Sequence, residues 1–100
     1  MAPRQNVTVT GSRTTSGPGL YVVTTSGVTI TLETWTHWPD SLETITIKDR
    51  TGAASPNITV KAPAITGGNI DGLTTIVMVN SNSAITFRPY KDGISWSASG

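Results

Sequence analysis

The chain predicts an all-β fold, a small antiparallel sandwich or barrel-like domain of about eight short strands that self-associates. Three observations lead there. Apolar and polar residues alternate in short segments, the signature of strands with one buried face. Turn chemistry separates those segments, with Asp49-Arg50-Thr51-Gly52, Gly67-Gly68-Asn69, Asp71-Gly72 and Asp92-Gly93 as the plainest cases. The chain also has eighteen threonines and only 13% charged residues, against about 25% in an ordinary soluble domain. A β-branched hydroxyl side chain suits a half-buried pleated surface better than a helix.

In chain order the strands are expected at 7–10, 20–24, 28–32, 44–48, 57–61, 74–79, 84–88 and 94–97. Val28-Thr29-Ile30-Thr31-Leu32 alternates cleanly, and Ile45/Ile47 and Ile58/Val60 repeat the pattern. The expected core is Val28, Ile30, Leu32, Ile45, Ile47, Ile58, Val60, Ile76, Met78, Ile85, Phe87, Ile94 and Trp96. Thr29, Thr31, Thr44, Thr46 and Thr59 then face outward. The three Ile/Val-Thr-Ile/Val segments are spaced 17 and then 13 residues apart (28 to 45 to 58). A solenoid would hold one period, so they read as successive strands. Asp-Gly at 92–93 marks the last hairpin, since glycine takes positive φ without strain. Residues 40–44 are the best helical candidate, one turn long.

One hundred residues make one domain, divided here into a flexible N-terminal arm and loop over 1–19 and a β domain over 20–100. The Ser, Thr, Gly and Pro content of the first segment carries that division, and Arg4, Val7 and Val9 are the candidate anchoring residues of the arm. Zero cysteines exclude a disulfide framework, a thiolate zinc site and a cysteine nucleophile. A net charge of +1 without a Lys/Arg run gives no electrostatic footprint for nucleic acid or a membrane surface. No cofactor is expected.

Glu33-Thr34-Trp35-Thr36-His37-Trp38-Pro39-Asp40 holds two of the three tryptophans and the only histidine. Aromatic faces there could lid the core, fill a subunit interface or stack a sugar. His37 lacks the partner groups that acid–base catalysis or metal binding needs, and the carboxylates are scattered, so no catalytic or metal residue is expected and the chain is read as no enzyme. Trp35, His37, Trp38, Tyr90 and Trp96 form the candidate interface or ligand surface.

The ordered set Thr44-Ile45-Thr46-Ile47-Lys48-Asp49 with Gly52, Asn57-Ile58-Thr59-Val60, Ile70-Asp71-Gly72, Asn80-Ser81 before Ala84-Ile85-Thr86-Phe87, and Asp92-Gly93-Ile94-Ser95-Trp96 resembles a β module of bacteriophage virion proteins. Such modules occur in head fibres, capsid spikes, decoration proteins, tail fibres and tail spikes. The match runs over roughly 21–96 and departs at 33–44, where the module usually has a short Leu-Pro link. The resemblance implies a non-enzymatic virion component, assembled in the host cytoplasm. Its implied partners are copies of itself, a trimer first and a pentamer second, together with capsid or other virion proteins. The alternative is a carbohydrate- or receptor-binding module for a host surface glycan, with Trp35, Trp38 or Trp96 as the stacking surface.

Overall fold

The computed structural model describes residues 5–34, 44–52, 58–80 and 82–99. Among them the chain is all-β, with no helix and ten strands. These are β1 (Gln5–Val9), β2 (Arg13–Thr14), β3 (Gly19–Val23), β4 (Val28–Thr31), β5 (Ile45–Asp49), β6 (Ile58–Lys61), β7 (Asn69–Ile70), β8 (Thr75–Met78), β9 (Ala84–Pro89) and β10 (Ser95–Ser99). All eight expected strands have counterparts within two residues at either end. The two additions, β2 and β7, have two residues each, too short to alternate.

The sheets are mixed, which corrects the antiparallel expectation. One sheet has the order β1-β3-β5-β9-β10-β7 and the other β2-β4-β6-β8. Five strand pairs are parallel, β1 with β3, β3 with β5, β2 with β4, β4 with β6 and β7 with β10. Three are antiparallel, β9 with β10, β5 with β9 and β6 with β8. From β1 to β6 the chain passes from one sheet to the other at each step, and each return adds a parallel strand. The successive segments therefore do wind as a short coil of unequal turns. Gln5, Gly19 and Ile45 stand in register, 14 and then 26 residues apart, so the coil leaves no single period in the sequence. The segments at 28 and 58 are neighbours in one sheet, and the one at 45 lies in the other.

The core fills the space between the sheets. Ile30, Leu32, Ile45, Ile47, Val60, Phe87 and Trp96 are fully buried, with Val28, Ile58 and Met78 close behind. Ile76 and Ile85 pack against this cluster while partly exposed, and Ile94 is half-buried. Val9, Tyr21, Val23, Ala62 and Ile70 are core residues beyond the expected set. Strands β1 and β2 lie within the segment 1–19 expected as arm and loop, and Val9 sits in the chain's own core. Thr29, Thr31, Thr46 and Thr59 are half-exposed as expected, whereas Thr44 is buried where its carbonyl accepts from the Gly19 N–H at 3.1 Å. The helical candidate at 40–44 falls outside the described residues except Thr44, which is not helical.

Polar clasps tie the coils together. Thr15, buried, donates its N–H to the Thr31 carbonyl at 2.9 Å, and its hydroxyl accepts from the Glu33 N–H at 3.1 Å. The Glu33 carboxylate accepts from the Gly17 N–H at 2.6 Å. The Tyr21 ring is fully buried, and its hydroxyl donates to the Gly17 carbonyl at 2.8 Å and accepts from the Ser16 N–H at 2.9 Å. Burial holds the Tyr21 phenol above its ordinary titration range, against the opposing pull of the Ser16 N–H. An acid whose folded pKa is raised contributes stability that is complete below the unfolded value of 10.0 and is lost as pH rises through the folded one. Urea midpoints are expected to fall above about pH 10 in the wild type, and the Tyr21→Phe variant is expected to lose that Tyr21-dependent part of the fall. At neutral pH the same variant is expected to be less stable by about 1 kcal/mol, for the lost hydroxyl bonds.

Candidate functional site

The parallel pairing of β7 with β10 sets Asn69 beside Ser95 and Ile70 beside Trp96. The same register carries Asp71 beside the 97–98 stretch of β10, and the turn at 71–72 and the β9–β10 hairpin loop line one cup. Asp71 and Gly72 both have positive φ, 51° and 84°, the pairing an Asp-Gly type I′ turn demands. Ile70 and Leu73 close it with reciprocal N–H to carbonyl bonds of 2.8 and 2.9 Å. At the hairpin only Gly93 is positive, with φ 80°, and its N–H donates to the Tyr90 carbonyl at 3.2 Å. Between the paired Tyr90 and Ser95 that loop holds four residues, two more than a type I′ turn, and Tyr90 and Asp92 line the cup from it.

Between the two turns lies an open cup of about 510 Å³ lined by Asn69, Asp71, Gly72, Tyr90, Asp92 and Ser95. Its polar groups are held by one another. The Asn69 amide nitrogen donates to the Gly67 carbonyl at 3.1 Å and to Ser95 Oγ at 2.8 Å, and its oxygen accepts from the Gly72 N–H at 3.0 Å. Ser95 Oγ donates to Asp92 Oδ2 at 2.6 Å, while Asp92 Oδ1 accepts from the N–H groups of Ile94 and Ser95 at 3.0 and 2.9 Å. The Ser95 hydroxyl first, then the Ile94 N–H, hold the Asp92 carboxyl below the usual carboxylate range. Asp71 Oδ2 accepts from the Ala98 N–H at 3.0 Å. The Tyr90 side chain is 48% exposed at the rim.

The expected surface residues separate. Tyr90 lines the cup. Trp96 is 0% exposed and donates its indole N–H to the Glu33 carbonyl at 3.0 Å, so it is a core residue with no face for stacking. Val7 is half-buried on β1 and Val9 is buried. Arg4, Trp35, His37 and Trp38 lie outside the described residues. Asn69, Asp71, Asp92 and Ser95 were absent from the expected surface because residues 69–72 and 90–95 meet only through a parallel pairing, which no local pattern announces. Among the described residues no group of three or more His, Cys, Asp or Glu side chains is placed to hold a metal ion, and no helix is long and apolar enough to cross a membrane.

A second surface feature lies on β8. This strand ends its sheet, and its inner edge is spent on β6: the Ala62 N–H donates to the Thr74 carbonyl at 2.9 Å, in the register that pairs Val60 with Ile76 and Ile58 with Met78. In such a ladder the hydrogen-bonding groups alternate sides, so Thr75, Val77 and Val79 turn their backbone groups to the open edge. Val77 and Val79 are each 50% exposed, and residues 72–87 carry no charge.

Compared with known proteins, the chain matches no family model and no curated protein sequence. Among the described residues, the fold and surface define an all-β domain of two mixed sheets with an uncovered apolar edge at β8 and a polar cup.

Proposed function

We propose that this protein is a self-associating structural component of a phage or phage-like particle surface, a head fibre or spike base or a capsid decoration protein. The observation that carries self-association is the β8 edge. Natural sheet edges are commonly blunted by lysine, proline or a bulge, and this one has backbone groups without a partner among the described residues, exposed valines and no charge. An uncharged edge is complementary to its own copy: two β8 strands related by a two-fold axis at Val77 would pair Thr75 with Val79 and Ile76 with Met78 antiparallel, extending the sheet and its apolar face. The particle setting rests on the ordered motif set of the sequence. The threonine-coated, low-charge outer faces support it, since they can meet neighbours without desolvating many ions.

Light scattering during size-exclusion chromatography tests the reading. The wild type is expected to elute as an oligomer at tens of micromolar, roughly, and to sediment with particles. Val77→Lys, which leaves the core untouched, is expected to shift the population to monomer with an unchanged far-ultraviolet spectrum. A monomeric wild type that does not associate with particles overturns the reading.

A further inference from the structure

The cup between the 71–72 turn and the β9–β10 loop has a chemical bias that self-association leaves unused. Apart from the Tyr90 hydroxyl at the rim, its side-chain donors are spent internally, the Asn69 amide on Gly67 and Ser95 and the Ser95 hydroxyl on Asp92. What the other lining side chains present outward is acceptors. Asp71 Oδ1 accepts from no described residue, the Asp92 oxygens retain lone pairs beside the bonds they accept, and both carboxylates are fixed by backbone N–H groups. Two carboxylates repel an anionic ligand, and an acceptor-rich wall has little to offer a ligand that lacks N–H or O–H groups. The half-exposed Tyr90 ring adds an apolar surface. A ligand with several hydroxyl donors around one face of apolar C–H groups satisfies both requirements.

We propose that this cup is a binding site for a neutral saccharide, with one pyranose ring against Tyr90 and adjacent hydroxyls donating to Asp71 and Asp92. Hydroxyl bonds to an ionised carboxylate are stronger than neutral ones, and acceptors already held in place spend little ordering entropy on binding. The site is shallow and open, so single-ring affinity is expected in the range of about 1 mM. The inference is independent of the oligomeric state, because none of its residues lies on β8.

The test is a nuclear magnetic resonance titration of the isotopically labelled full chain. Maltotriose, triacetylchitotriose and a galactose-terminated trisaccharide are added separately, with calcium chloride alone as a fourth probe. At least one saccharide is expected to shift the amides of residues 69–73 and 90–96 saturably. Tyr90→Ala and Asp71→Asn are each expected to weaken that binding roughly tenfold with the rest of the spectrum unchanged. Asparagine tolerates the left-handed backbone of position 71 and keeps an acceptor for Ala98, which separates ligand binding from folding. The proposal is overturned by three saccharides that leave those amides unmoved at roughly 10 mM, by binding insensitive to both substitutions, or by saturable shifts with calcium only.

Discussion

Replacing Trp96 by alanine is expected to be the most damaging single change in the chain. Among the described residues Trp96 is the largest fully buried side chain, and truncating a buried tryptophan costs about 3 to 5 kcal/mol through lost transfer energy and the cavity left behind. It also carries a bond that spans the fold, since its indole N–H reaches the Glu33 carbonyl from the last strand to the end of the β4 segment. That bond adds about 1 kcal/mol and leaves an unpaired carbonyl when removed. Domains of this size hold only about 5 to 15 kcal/mol in total, so Trp96→Ala is expected to lower the melting temperature by roughly 15 °C or more. Trp96→Phe keeps most of the packing and is expected to recover more than half of the loss. Urea unfolding at one fixed protein concentration measures both, and a loss below about 1 kcal/mol for the alanine variant would show that the ring does not seal the core.

The strands were legible where one face is buried and the other wet. Val28 to Leu32 and Ile45 to Lys48 alternate without ambiguity, and the structure buries the residues that alternation selects. Strand β3 was legible as a strand but its buried face was not. Gly19-Leu20-Tyr21-Val22-Val23 is apolar on both sides, and only packing decides that Tyr21 and Val23 go in while Leu20 and Val22 stay half-exposed. Strand direction was not legible at all. Parallel sheets ordinarily read as unbroken apolar runs because both faces are covered, but here each sheet keeps an outer face with threonine on it, so parallel strands alternate as antiparallel ones do. The coil's period was hidden by its unequal turns, in which Val28 and Ile58 are neighbours 30 residues apart while Arg13 and Ile30 are 17 apart. The same obstacle hid the cup. Tyr90 stood out as an aromatic beside an Asp-Gly turn, but Asn69 and Asp71 join it only because β7, two residues long, pairs parallel with β10.

Asp49→Ala is expected to be the second most damaging change, and its cause differs from that of Trp96. Position 49 continues an inward row that begins with Val9 and Val23, so a pattern reading would place a valine there. The carboxylate is instead fully buried, with Oδ1 accepting the Thr51 N–H at 2.9 Å and the Thr51 hydroxyl at 2.7 Å. Its backbone is held as well. Its N–H donates to Ser83 and its carbonyl accepts from Asn82 at 2.9 and 3.0 Å, and the next residue, Arg50, donates to Val23 at 2.9 Å. The chain leaves the sheet at this point, and the side chain fixes the direction of departure. Alanine strands the Thr51 N–H and hydroxyl donors that the carboxylate had satisfied, at a cost of about 3 kcal/mol. Asparagine preserves one acceptor oxygen and is expected to lose about 1 kcal/mol. Valine completes the apolar row but satisfies neither donor, so it is the deciding variant. A loss close to that of alanine, read from urea midpoints, means that the Thr51 bonds hold the turn. A stability equal to wild type means that the row only needed volume, and it removes the carboxylate from the account of the fold.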